Sequence, residues 1–328
     1  MNKVIRAFAL IALALTACTD SSGPGLGPPV HVVILEAKLT GIFGQAVPTA
    51  PTVLVTDANN HRLPGVVVTF AITSGGGSLS SATQTTSDAG LASVEWTLGN
   101  AFGINTLTAT VAELPPVTFT ATAIAPDSGI LAFNLVDAEG DSLNTFAETT
   151  PTPQAIDLLS LRGDFKGDAL ILTATFSRPL TFVRGYIEFD IDDNPSTGGP
   201  FISTVYGSSA SFGMDYRLGL SGSDAGISNN SPPPQPPNPL PIQVSYSGST
   251  VVLRVPMLLL GNDDGNFSLV GVIGTMDRAT DVFPNSGQTI VRHGIGVSST
   301  MSVASDRPRG PAATHNPVRW ESLAARAR

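Results

Sequence analysis

The sequence predicts an all-β protein: one β-sandwich followed by a second, larger one. Three observations predict it. Apolar residues alternate with Thr and Ser at period two in several short runs. The runs recur at roughly 10-residue spacing, with turn residues between them. The chain holds 33 Gly and 26 Pro, while only 13% of residues are charged and 6% aromatic, which suits turn-rich β-modules rather than helices.

The chain begins with an export address. Lys3 and Arg6 supply a positive start, and Ala7 to Leu15 is an unbroken apolar run. That run is too short for a bilayer, which needs about 20 residues. A basic start and a short apolar core read as a secretory leader, residues 1–17. It ends in Leu15-Thr16-Ala17-Cys18, which resembles the lipobox of bacterial lipoproteins. The resemblance implies cleavage before Cys18 and lipid attachment to its sulfur. Thr19, not Asp, follows Cys18, which in that family favours the outer membrane. Cys18 is also the single Cys, so no disulfide within the chain is available and lipidation removes a reactive free thiol. Residues 18–29 are rich in Ser, Gly and Pro and form a flexible tether.

The first sandwich occupies residues 30–125. Ala92, Val94, Trp96 and Leu98 form one inward row, and Leu107, Ala109 and Val111 another. Val117, Phe119, Ala121 and Ala123 form a third, and Val66, Val68, Phe70 and Ile72 a fourth. Asp57-Ala58-Asn59-Asn60, Gly75-Gly76-Gly77 and Asp88-Ala89-Gly90 are the turns between them. Asp57 and Asp88 read as turn formers and Trp96 as core. No helix signal or Lys follows the three glycines, so they read as a turn and not a phosphate loop.

Five segments carry a family resemblance: Val55-Thr56-Asp57-Ala58-Asn59, Leu63 to Phe70, Thr85 to Ala92, Trp96-Thr97-Leu98-Gly99 and Leu107-Thr108-Ala109-Thr110-Val111. Their order from Val32 to Ala123 resembles the group-1 bacterial Ig-like domain, the repeat of intimin and invasin. The resemblance implies an Ig-like sandwich in a cell-surface protein, as a spacer or adhesin stalk. This chain carries one copy rather than an array.

Residues 126–296 form the second β-sandwich. Its inward rows are Leu170, Leu172, Ala174 and Phe176; Ile187, Phe189 and Ile191; and Val251, Leu253 and Val255. Ser231 to Pro241 is too Pro-rich for a central strand and reads as an extended surface loop. Met257 to Leu260 reads as one helical turn closed by Gly261. Residues 297–328 read as a mostly disordered tail. Asp137 to Asp141, Phe189 to Gly198 and Asp281 to Asn285 resemble DOMON-like and related carbohydrate-binding sandwiches. Members of such groups bind sugars or haem. His293 and Met214, Met257 and Met276 are the only His and Met in this region, and no haem ligation is expected of them.

One acidic constellation stands out. Glu188, Asp190 and Asp192 alternate with the apolar row and project to one side, with Cα atoms about 6.6 Å apart. Asp193 and Asn194 follow, and no Lys or Arg lies within the run. Like charges this close repel unless solvated, neutralised or bridged by a cation. Oxygen ligands suit Ca²⁺, although the spacing is not that of an EF-hand. Two readings stay open: a solvated strand end, or a Ca²⁺ site at Asp190, Asp192 and Asp193 completed by Asp137, Asp141 or Asp215.

Function classes narrow accordingly. The formal charge is −9, and 15 basic against 26 acidic residues remain once the leader is removed. That balance opposes nucleic acid as a partner. No zinc helix, nucleophile elbow or available Cys nucleophile exists, so no enzyme is expected. Three roles remain: a lipid-anchored adhesion or recognition protein of the cell surface, a structural envelope protein contacting other proteins, and a polysaccharide-binding accessory protein. For the third, Tyr186, Tyr206, Tyr216 and Tyr246 are the rings able to stack on sugars.

Overall fold

The computed structural model describes residues 25–140, 155–199, 212–230, 239–276, 279–284 and 288–292, and the backbone of 301–302. The leader, Cys18, Asp141, Tyr206, His293, the Pro-rich 231–238 and nearly all of the tail lie outside the described residues. The chain is all-β, as its alternation predicts.

The first ten strands are β1 (His31–Ile34), β2 (Lys38–Ile42), β3 (Thr52–Thr56), β4 (Val67–Ser74) and β5 (Gly77–Leu79), then β6 (Thr83–Thr85), β7 (Leu91–Ser93), β8 (Trp96–Leu98), β9 (Gly103–Thr110) and β10 (Val117–Ile124). They make three sheets: β1-β3-β7, β2-β10-β9-β4-β6 and the pair β5-β8. The β2–β10 pair is parallel. Period-two alternation turns Leu107, Ala109, Phe119 and Ala121 inward, each 0% exposed. Trp96, also 0% exposed, lies in the same core. The run Ala92 to Leu98, which reads as one row, is divided in the structure. Leu91–Ser93 pairs with β3, whereas Trp96–Leu98 pairs with β5. Alternation survives the break because both parts face the same core.

The Asp57 turn is held by its side chain. Its carboxylate accepts the backbone N–H groups of Gly27, Asn59 and His61, at 3.1, 2.8 and 2.8 Å, and meets the His61 ring at 3.1 Å. Burial opposes ionisation here. The hydrogen bonds from Gly27, His61 and Asn59 outweigh it and pull the carboxyl down to about 2. Asp57 also ties the incoming chain at Gly27 to the sandwich.

Thirteen strands follow: β11 (Ile130–Val136), β12 (Leu158–Lys166), β13 (Ala169–Phe176), β14 (Arg184–Asp190), β15 (Tyr216–Ser221), β16 (Asp224–Asn229) and β17 (Leu240–Pro241), then β18 (Gln243–Ser247), β19 (Thr250–Pro256), β20 (Phe267–Gly274), β21 (Ala279–Phe283), β22 (Thr289–Val291) and β23 (Met301–Ser302). One sheet runs β11-β12-β13-β19-β18. The other runs β17-β16-β15-β14-β20-β22-β23, with β21 also on β20. The Pro-rich segment therefore ends in a short edge strand, where a Pro is tolerated because no further ladder bond is required of it. Met257–Leu260 forms one 3₁₀ turn closed by Gly261 at φ +73, as its sequence predicts.

The two sandwiches meet end to end. Between β10 and β11, the Ala125 N–H donates to the Gly167 carbonyl at 2.9 Å. Phe102, just before β9, sits between Phe43 at 5.1 Å and Phe165 of β12 at 4.6 Å. Phe165 meets Phe267 at 6.5 Å, and Phe267 meets Phe189 at 5.7 Å. Five buried rings thus run from the first core into the second, and one apolar cluster spans both. Tilted and edge-on pairs are worth about 0.5–1.5 kcal/mol beyond area burial.

Two outcomes follow. Phe102→Ala should cost about 3–5 kcal/mol and split a single thermal transition into two, because it empties the shared junction; calorimetry of the full chain checks this. For Asp57, a folded carboxyl held below its ordinary value stabilises above pH ~4 and loses that contribution as pH falls towards about 2. Asp57→Ala should therefore destabilise the chain at pH 7 and flatten its acid unfolding between pH ~4 and ~2, read by circular dichroism.

Candidate metal centre

The acidic end of β14 is built by two strands and two loops. Phe189 faces the core, and Asp190 closes the strand, 0% exposed. The loop 191–199 then folds back on the segment before β15. Thr197 N–H donates to the Asn194 carbonyl at 3.0 Å, and Gly199 N–H to the Met214 carbonyl at 2.8 Å. Gly213 permits the approach: a Cβ there would lie 2.4 Å from the Asn194 carbonyl oxygen and 2.5 Å from that of Thr197. This packing carries Asp215 to Asp190.

Asp190, Asp192 and Asp215 each offer a carboxylate oxygen, all within 4.8 Å of one another. Two oxygens at 2.3–2.6 Å on either side of Ca²⁺ stand at most about 5 Å apart, so the spacing suits one shared cation. Asp190 accepts Gly213 N–H at 2.9 Å and Asn194 N–H at 3.2 Å. Asp215 accepts Ile191 N–H at 3.0 Å. Asp192 accepts Asn194 N–H at 3.0 Å and the Thr197 hydroxyl at 2.9 Å. Backbone amides therefore fix all three carboxylates in place.

Electrostatics set the chemistry of this end. Burial pushes the Asp190 carboxyl up to about 6; the charges of Asp215 and Asp193 add to it, against the Gly213 and Asn194 donors. Burial likewise pushes Asp263 up to about 7, with Asp264 and Asp193 adding, against the Gly265 donor. The Tyr216 phenol is also raised, by burial first and then by Asp215 and Asp263. Ionised carboxylates at this density are unfavourable without a compensating cation.

The expected ligand set is only partly assembled. Asp190 and Asp192 come together, and Asp215 joins them. Asp193 turns elsewhere, accepting the Ser268 hydroxyl at 2.6 Å and pairing with Arg292 at 2.5 Å. Asp137 follows the far end of β11, its N–H on the Leu159 carbonyl, whereas Phe165 at the other end of β12 leads to Phe267 and Phe189. It does not meet Asp190, and Asp141 lies outside the described residues. Glu188 does not join either: it is 1% exposed and bound by Arg217 of β15, its cross-strand partner, at 2.9 Å. A cation absent from the local run is thus supplied by the neighbouring strand. Asp263 joins the acidic end without having been expected; its signal was the Asp263-Asp264-Gly265 turn.

Of the four tyrosines, Tyr216 is buried, Tyr246 is half-buried with its hydroxyl on the Gly222 carbonyl at 2.6 Å, and Tyr206 is outside the described residues. Tyr186 lines a groove on the outer face of the larger sheet.

No protein-family profile and no curated protein matches this chain. Solved structures do. The D00-D0 domain of intimin is 20% identical over 29% of this chain and 46% of that one, with a TM-score of 0.24. A C-terminal 282-residue intimin fragment, solved with the intimin-binding domain of its translocated receptor, is 12% identical over 82% of this chain and 65% of that one, TM-score 0.29. The Yersinia pseudotuberculosis adhesin InvE is 14% identical over 81% and 58%, TM-score 0.27. The chain spans about half the length of the first of these and under two thirds of the other two.

An acid with a raised pKa costs stability as pH rises through the window between its ordinary and its folded value. Asp263→Asn keeps the acceptor for Gly265 and removes the charge. It should raise the melting temperature at pH 8 in chelator by about 2–4 °C and leave it nearly unchanged at pH 4.

Proposed function

We propose that the chain is an exported, lipid-anchored envelope protein, non-enzymatic, in which the first sandwich is an Ig-like spacer and the second a binding head for adhesion or surface recognition. The observation that carries this reading is where the chain enters and leaves the first sandwich. It enters at Gly27 and Val30, bound to Asp57 and Thr56, beside the Leu114 to Val117 turn. It leaves at Ile124, where Phe43 N–H holds the Ile124 carbonyl at 3.1 Å. Strand β10 separates these ends by about 25 Å. A tether at one end and a second sandwich fused to the other is the geometry of a spacer. The aromatic junction resists bending, so the outer sandwich is presented away from the anchor.

Cys18 lies seven residues before Gly25, so lipid on its sulfur would hold the Asp57 end within about 25 Å of a membrane. No helix among the described residues is long and apolar enough to cross a membrane. We further propose that Asp190, Asp192 and Asp215 hold a structural Ca²⁺ that neutralises the acidic end of the head. The 4.8 Å oxygen spacing supports it.

Two measurements test these readings. Cys18→Ser should move the protein from the membrane to the soluble fraction, and protease shaving of whole cells should remove the parent; protection of the intact protein would sink surface display. Ca²⁺ should raise the melting temperature at pH 7.5, and the rise should shrink as pH falls through about 6, where Asp190 takes up a proton. Equal midpoints in Ca²⁺ and chelator would exclude the site.

A further inference from the structure

The end of the first sandwich where the chain enters carries two matching segments, Leu26-Gly27-Pro28-Pro29-Val30 and Leu114-Pro115-Pro116-Val117. Val30 of the first and all four residues of the second line one groove of about 700 Å³, together with Val32, Val33 and Leu54. The groove is open because two sheet edges are uncovered there. Among the described residues, β1 has β3 on one side and no strand on the other, and β2 covers β10 only from Thr120 onwards. Leu26 and Val30 are 57% and 40% exposed, and Pro28, Pro115 and Pro116 are exposed as well.

This rim is apolar in its side chains and nearly spent in its backbone donors. Gly27 N–H is on the Asp57 carboxylate, Val30 N–H on the Thr56 carbonyl at 2.9 Å and Leu114 N–H on the Val111 carbonyl at 2.9 Å. Pro28, Pro29, Pro115 and Pro116 have no N–H to satisfy. Val117 lies in the β9–β10 ladder. A backbone donor taken out of water without a partner is costly, which is why irregular loops avoid lipid. At a headgroup boundary these two segments leave none of those donors orphaned.

Charge points the same way. Among the described residues no acid lines the groove, in a chain of charge −9. Its ionisable groups are His31 and Arg62. Arg62 gives one N–H to the Ala89 carbonyl at 3.3 Å, and a guanidinium carries five, so donors remain for a phosphate. Glu113, exposed in the same turn as Leu114, does not line the groove. The path of the chain names the occupant. Gly25 follows Cys18 by seven residues, so the surface that receives a lipid on Cys18 lies within about 25 Å of this rim.

We propose that this end of the first sandwich rests on a phospholipid surface, with Leu26, Val30, Leu114 and the four prolines at the headgroup boundary and Arg62 on lipid phosphate. The inference rests on the reading of Cys18 as a lipid anchor and names what the near end of the spacer touches. The test uses the full, natively lipidated chain in vesicles of phosphatidylethanolamine and phosphatidylglycerol. Acylation of Cys18 leaves no free thiol, so a new Cys takes a polarity-sensitive dye at one place. Pro115→Cys reports on the rim, and Ser177→Cys, after β13, on the end of the second sandwich remote from the junction. Nitroxide on the lipid headgroups should quench most of the signal at position 115 and almost none at position 177. Leu26→Glu with Val30→Glu should restore the signal at 115 while the protein still floats with the vesicles; thermal melts confirm that the variants fold. Flotation with equal quenching at both positions, or with none at 115, would overturn the proposal and leave the anchor standing. A parent chain that does not float would remove the anchor and the proposal together. A dye at 115 shielded from the nitroxide, in a chain that cross-links to a second copy, would give the rim to that copy instead.

Discussion

The architecture depends on one ring. Phe102 lies just before β9, at the end of the first sandwich, and is gripped between Phe43 of its own unit and Phe165 of the next. Phe165 passes the contact to Phe267 and Phe189. Without this run, two sandwiches joined by residues 125–129 would share little buried surface, and relative motion would be the default. With it, the two cores are continuous, and the orientation of the second sandwich follows from packing rather than from the linker.

The same run ends beside the acidic cluster. Phe189 precedes Asp190 in β14, so the residue that completes the aromatic core also sets the depth of the first carboxylate. Burial raises the cost of its charge, and the Gly213 and Asn194 amides fix it where that cost cannot be relieved by turning to solvent. Asp215 reaches it only because Gly213 lets the preceding segment touch the 194–197 loop. Core packing and site electrostatics are therefore coupled along a single strand.

The outer face of the larger sheet shows the converse arrangement. There Gly226 is covered by Pro239, 2.9 Å from where a Cβ would lie, whereas a Cβ on Gly219 would make only ordinary contacts. Next to Tyr186, a part-buried ion pair with Glu188 fixes Arg217. A sheet whose inner face is filled by Leu218, Leu220 and Ile227 is also covered on its outer face at Val270 and Val272, where Phe212 and Met214 pack on Val270.

Much of the fold was legible in the residues themselves. Period-two alternation placed Leu107, Phe119, Leu172 and Leu253 on inward rows, because side-chain direction in a strand is a local property. Turn chemistry gave Asp57 and the Gly261 closure for the same reason. Three features were decided only by tertiary structure. The break between Ala92 and Trp96 was invisible, since alternation continues while hydrogen-bond partners change sheets. Glu188 read as part of the acidic run, but its fate depended on Arg217 lying opposite in β15. Asp137 and Asp215 were equal candidates to join Asp190, and strand direction separated them. By itself the sequence determined the all-β class, the rows of the core and an acidic strand end; pairing across strands, which no local pattern encodes, decided which carboxylates meet and which are neutralised.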